Sequence, residues 1–276
     1  MKKIITAFCF LVSVSVFSQM ELYFGRKPFI GAEIIMENGD IKTGFLQDFH
    51  TPRFVETDMG FLGGIEKKLK FETKEFKFKE EKTSAVEIIK IEDLKRIVIL
   101  NTDGSEKLVY DKMKLKTINS QNEVVDVEKT VVLPLEQEGK INLYGISVSF
   151  FQNNKYVSSL YLPYVRKPDD EYGYILIDIN RLNFFNLGKI DDKLEKALYE
   201  VTKDCHAFSD TLHARIKALE KEAKESRGEA VKMKNKVRKE IKDRGEENFA
   251  AMKIDHDYAT KPFEILLGEY SAKCPK

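Results

Sequence analysis

IGAEIIMENGDIKTGFLQD, residues 30–48, decides how this chain reads. Two runs rich in branched aliphatics, Ile30 to Glu37 and Ile41 to Asp48, flank Asn38-Gly39-Asp40. Asn-Gly between such runs is the strongest short-range hairpin signal, because the tight turns that match strand twist need positive φ at both central residues. The strand pattern recurs downstream. Leu69, Phe71, Phe76 and Phe78 alternate with Lys68, Lys70, Lys77 and Lys79, the period of strands with one wet face. Val86 to Ile91, Arg96 to Leu100, Lys107 to Tyr110, Met113 to Ile118, Val124 to Leu133, Ile141 to Phe151, Tyr156 to Leu162 and Tyr174 to Ile179 continue the series. No helical period between them is long enough for a crossover, so the expectation is an antiparallel β-rich body, a sandwich or half-barrel.

The pattern changes after Gly188. Asp192 and Glu195 have capping-box spacing, and Leu194, Leu198, Val201, Cys205, Phe208, Leu212, Ile216, Leu219 and Ala223 fall three and four apart, as on one helical face. Beyond Ser226 the stripe thins to Ala230, Met233, Val237 and Ile241, which predicts a polar, weakly packed return arm of a helical hairpin turning near Gly228. Pro262 and Gly268 bracket a last short apolar element, Phe263 to Leu267. The fold class expected is α+β: a β-rich domain over residues 19–187 and a helical C-terminal region over 188–276.

Residues 1–18 read as a secretory signal peptide. Lys2 and Lys3 precede an apolar run from Ile4 to Phe17, which ends in a cleavable Val16-Phe17-Ser18. That run of 14 residues is short for a membrane anchor, which needs about 20. Cys9, behind bulky Phe8 in mid-run, is no site for lipid attachment. Removing Lys2 and Lys3 with the peptide takes the 46 basic residues to 44 against 45 acidic ones. Such a balance exerts no global pull on nucleic acid or anionic lipid, and no second run is long enough to span a bilayer. The expected compartment is periplasmic or secreted.

Three stretches carry a resemblance: the Asn38-Gly39-Asp40 turn with Gly44 behind it, Glu138-Gly139-Lys140-Ile141-Asn142-Leu143-Tyr144, and Thr202-Lys203-Asp204-Cys205 taken with the terminal Glu269-Tyr270-Ser271-Ala272-Lys273-Cys274. They resemble a loose group of uncharacterised exported proteins of Gram-negative bacteria, which combine a β-rich body, a Gly-Lys-x-x-Leu-Tyr-like segment, a helix ending Asp-Cys and a Tyr-Asn-x-x-Cys-like end. The chain departs from that pattern at Ser271 and in the charged stretch from Lys217 to Glu247. The resemblance implies architecture and compartment, and brings no catalytic residue with it.

Cys205 and Cys274 survive signal cleavage, and an even count in an oxidising compartment reads as one disulfide. The rival is a nucleophilic Cys205 activated by His206, although neighbours on a helix point about 100° apart. His206 and His213 would lie about 10.5 Å apart along a helix, too far to share a metal unaided. Asp255-His256-Asp257 is a weak ligand motif, and His50 stands alone. Gly60, Gly63 and Gly64 read as a loop rather than a phosphate cradle. Nucleophile-elbow, Walker and dinucleotide glycine patterns are absent. Asp48, Asp58, Asp169, Asp170 and Glu171 could supply a carboxylate pair, but such pairs meet in space, not in sequence. Lys232, Lys234, Lys236, Arg238, Lys239, Lys242 and Arg244 form the one concentrated basic stretch, either a docking helix for an acidic partner or anionic lipid, or a solvated face. The function expected is a non-catalytic exported binding or structural module of the cell envelope, with no cofactor and with an envelope protein or polysaccharide as partner. The alternative is a hydrolase acting on envelope or extracellular polymers.

Overall fold

The computed structural model describes residues 29–47, 54–58, 74–100, 107–177 and 190–274. Eleven strands form one hydrogen-bonded system: β1 (Ile30–Met36), β2 (Ile41–Gln47), β3 (Phe54–Asp58), β4 (Glu75–Lys79), β5 (Glu87–Lys90), β6 (Leu94–Leu100), β7 (Lys107–Ile118), β8 (Val124–Gln137), β9 (Asn142–Gln152), β10 (Lys155–Arg166) and β11 (Tyr172–Ile175). Four helices follow: α1 (Ile190–Thr202), α2 (His206–Ser209), α3 (Leu212–Glu240) and α4 (Arg244–Lys273). The fold is α+β, a partly barrel-like β body with helices at its C-terminal end.

The long β7–β8 pair belongs to two units. On one edge β7 bonds β6 through Lys107 to Asp111, then takes β11 in parallel through Lys114 to Lys116. Because β11 also pairs with β10, strands β7, β8, β9, β10 and β11 close into a circuit. The remaining run, β6-β1-β2-β4-β5, extends from β7 as an open sheet. A register shift of β8 against β7 at Lys114/Lys116, with Glu128 at φ 55°, lies where β7 changes partner. An extra-residue bulge of this kind bends a strand pair. β3 was not foreseen. It pairs in parallel with β9 from Ser147 to Phe151, the part of that edge that β8 leaves after Tyr144.

The turn at Asn38-Gly39 is not the two-residue kind. Gly39 alone has positive φ, at 91°, and its N–H donates to the Met36 carbonyl at 3.0 Å, which leaves a three-residue loop. Both central residues are left-handed instead at Asn153 and Asn154 (φ 53° and 58°), which join β9 to β10. Gly44 has a packing role. A Cβ there would lie 2.2 Å from the Lys79 carbonyl oxygen and 2.6 Å from the Phe78 ring. Gly44→Ala should therefore force β2 and β4 apart, at a cost of about 1–3 kcal/mol, read as a lower denaturant midpoint. An unchanged midpoint would show that the strands can slide.

Four buried clusters hold the described residues together, the smallest joining Phe151 and Tyr156 to Ala251 and Met252 of α4. Phe76, Phe78, Leu94 and Ile97 lie with β1 and β2 residues under the open sheet, and Met113, Leu133, Tyr144, Ile146 and Leu162 pack within the closed circuit. Ile118, Leu143 and Val165 meet Leu198, Val201, Phe208, Leu212, Ile216, Leu219 and Leu266 from the helices. The apolar stripe beginning at Leu194 thus docks on the barrel, broken at 203–205 and 210–211. The expected turn near Gly228 is corrected: α3 runs through Gly228 and the chain reverses at Ile241–Asp243. One glycine costs about 1 kcal/mol in a helix, and the flanking Glu, Ala, Lys and Met residues are strong helix formers. Pro262 and Gly268 also lie inside α4 rather than bounding a separate element. Lys68 to Phe71 and Gly60 to Gly64 lie outside the described residues.

Candidate functional site

Two strands each bury a charged residue among their apolar ones. Asp111 shares its parity with Met113 and Leu115 in β7, and Arg166 shares its parity with Leu162 and Tyr164 in β10. They meet where the open sheet joins the barrel. Arg96 donates to Asp111 from Nε to Oδ1 (2.5 Å) and from Nη2 to Oδ2 (3.0 Å). Arg166 Nη2 and the Tyr144 hydroxyl donate to Oδ2 at 3.1 and 2.7 Å. Four donors thus converge on one buried carboxylate, three on Oδ2 and one on Oδ1. Asn142 Nδ2 donates to the Tyr144 oxygen at 3.1 Å, and Arg166 Nη1 donates to the Lys112 carbonyl at 2.8 Å.

Burial, reinforced by the negative Asp111, pushes the Tyr144 phenol up to about 12. Tyr270 is also raised to about 12, by burial and then by Asp204. A raised folded-state pKa stabilises fully below the unfolded value near 10 and is lost as pH climbs toward 12. Melting temperature should therefore fall from about pH 10 upward. Tyr144→Phe should start lower, through its lost hydrogen bond, but decline less steeply by about one proton, or about 1.4 kcal/mol per pH unit. Parallel curves for the variant and wild type would dismiss this assignment.

A cleft of about 800 Å³ opens over the cluster. Ile35, Arg96, Asp111, Lys112, Met113 and Arg166 line it, with Glu37 and Glu92 on one side and Asp169, Asp170 and Glu171 on the other. Lys112 pairs with Glu37 at 2.5 Å and Lys114 with Glu171 at 2.7 Å. Both ion pairs thus brace strand β7 against its flanking loops.

A second constellation sits between β9 and α4. Ser147 Oγ lies 2.9 Å from His256 Nδ1, and His256 Nε2 lies 3.4 Å from Glu136 Oε2. Serine, histidine and carboxylate in a row suggest acyl transfer. Ser147, however, is 0% exposed, with α4 packed over it, so no substrate reaches the hydroxyl. Nearby, Tyr156 donates to Asp255, whose carboxylate also takes Lys234 at 2.7 Å. Burial, then the Asp255 bond, raises the Tyr156 phenol far above its ordinary range. These contacts fasten α3 and α4 to the barrel.

Cys205 and Cys274 form a disulfide, with Cα atoms 5.9 Å apart, which removes the thiolate that a nucleophile would need. Around it two of the three stretches carrying the resemblance converge, while the hairpin at residues 38–44 lies in the open sheet. Lys140 Nζ donates to the carbonyls of Ser271 (2.8 Å) and Cys274, and Asp204 accepts from Tyr270 and pairs with Lys167 at 2.8 Å. That ion pair, followed by the hydrogen bond from Tyr270, holds the Asp204 carboxyl below its usual range.

The other expected site residues scatter. His206 begins α2, His213 pairs with Glu195 at 2.7 Å, and His256 is enclosed as described. Among the described residues no three His, Cys, Asp or Glu side chains gather as a metal site. His50 and Asp48 lie outside those residues. The basic stretch divides: Lys234 faces Asp255, Arg238 meets Glu247 at 3.5 Å, Lys236 lies 4.0 Å from Glu240, and Arg244 donates to the Asn153 carbonyl at 2.7 Å. Lys232, Lys239 and Lys242 face solvent. No protein-family profile matches the chain, and neither does any curated protein or solved structure. No helix among the described residues is long and apolar enough to cross a membrane.

Proposed function

We propose that this protein is a non-catalytic exported binding or structural module of the cell envelope, made with residues 1–18 as a cleaved signal peptide. The observation that carries the reading is where the reactive side chains go. Ser147 and Glu136 are covered by α4, whose own buried His256 reaches both, and Asp111 is buried and held by two arginines and a tyrosine. A catalytic carboxylate or hydroxyl needs access and an unfilled valence toward substrate. These groups instead join sheet to barrel and barrel to helices. The Cys205–Cys274 cystine is compatible with an oxidising compartment. Edge strand β5, with exposed Ile88 and neighbouring Val86, offers a surface for an envelope protein or polysaccharide.

The alternative hydrolase would have to work in the cleft above Arg96 and Arg166, with carboxylates from its rim. One preparation tests both parts. Protein extracted from the periplasm should have the intact mass of a chain beginning at Gln19 with both cysteines oxidised, and should release no reducing ends from envelope polysaccharide. Recovery with Met1 to Ser18 attached refutes the export reading. Release of reducing ends, abolished by Glu171→Gln or Asp170→Asn, refutes the non-catalytic one.

A further inference from the structure

We infer that the outward face of α3 docks onto an anionic lipid bilayer. Leu212, Ile216, Leu219 and Ala230 mark its buried side. At about 100° per residue, Lys217, Lys221, Lys224, Lys232 and Lys239 fall on the opposite side, within an arc of about 80° and along about 33 Å of helix. All five are exposed, and none has an ion-pair or hydrogen-bond partner among the described residues. The nearest acid to that arc on the helix is Glu225, at its border.

The row is lysine alone, and the paired cations of the helix lie off its arc: Arg215 is bonded to Glu269 and Glu222, Arg238 to Glu247, Lys234 to Asp255 and Lys236 to Glu240. A guanidinium fork reads fixed pairs of acceptors, whereas an ammonium is a hydrated point charge with no preferred geometry. A straight row of such charges suits a plane of acidic headgroups, which requires no register. An acidic protein would have to place carboxylates at five set positions. Val231, 52% exposed, borders the row, whereas Met233 turns away from it toward Tyr258 of α4. One bordering valine is too little for insertion, so adsorption is electrostatic and salt-sensitive.

This deepens the envelope reading by naming a partner, and its failure would leave the mass and polymer measurements untouched. The test is co-sedimentation of the full chain with vesicles of phosphatidylglycerol and phosphatidylethanolamine, or of phosphatidylcholine alone. One variant carries Lys217→Gln, Lys221→Gln, Lys224→Gln, Lys232→Gln and Lys239→Gln. A second makes the same charge change at Lys90, Lys95, Lys155, Lys253 and Lys261. Wild type and the second variant should bind acidic vesicles at low salt, and neutral ones at least about tenfold more weakly. The α3 variant should lose at least about tenfold in binding with an unchanged melting temperature, since glutamine matches lysine in helix propensity. Absence of adsorption by wild type, or equal loss in both variants, overturns the inference. So does binding confined to a soluble acidic polysaccharide.

Discussion

Asp111→Ala will lower the melting temperature by about 10 °C, a loss of about 3–5 kcal/mol. The substitution removes little apolar surface. Its effect comes from what remains: Arg166 stays buried with its charge uncompensated and its Nη2 left only the Tyr144 oxygen, and Arg96 loses both its bonds. Removing one partner of a buried pair costs more than the pair is worth, because the surviving charge has no water to return to. Two controls separate this from simple misfolding. Raising the salt concentration should barely change the deficit, since enclosed charges are poorly screened. Replacing Arg96, Asp111 and Arg166 together with methionine or leucine should recover much of the loss. A melting temperature for Asp111→Ala within about 2 °C of wild type would show that the cluster is solvated in solution.

Breaking the cystine should have a comparable effect by another route. Cys205 and Cys274 are 69 residues apart, so the bridge closes nearly the whole helical region into a loop. In the chain-entropy model a loop of that size is worth about 4 kcal/mol, mostly by restricting the unfolded chain. Cys205→Ser with Cys274→Ser should thus melt lower by about 10 °C. The native end should keep its shape, because Lys140 still grips two terminal carbonyls and Tyr270 still packs on Phe208 with ring centres 5.3 Å apart. Dithiothreitol should reproduce the shift in wild type and leave the double variant unmoved. Two titratable thiols in unreduced periplasmic protein would contradict the bridge.

Strand alternation and the stripe from Leu194 to Leu219 were legible because each lies on a local period that burial enforces. The polar clusters were not, since their members come from five strands and two helices. A signal was nonetheless there: Asp111 and Arg166 stand on the apolar parity of their strands, and a charge in that register needs a partner. Nothing local marks β3 as the parallel neighbour of β9, or β11 as that of β7, because such pairings depend on where distant segments come to lie. The turn near Gly228 was misplaced because glycine weakens a helix without ending it. The basic stretch read as one feature, while the helix period separates residues facing α4 and the barrel from those facing water.

The strand order also sets an order of birth. All the strands of the open sheet, β6-β1-β2-β4-β5, have left the ribosome once Leu100 emerges, so that sheet can form early. The barrel cannot: β7 waits for β11, with Lys114 bonded beside Tyr172, and the cystine waits for Cys274. A chain emerging N-terminus first would therefore make both closures late, well after the open sheet has formed.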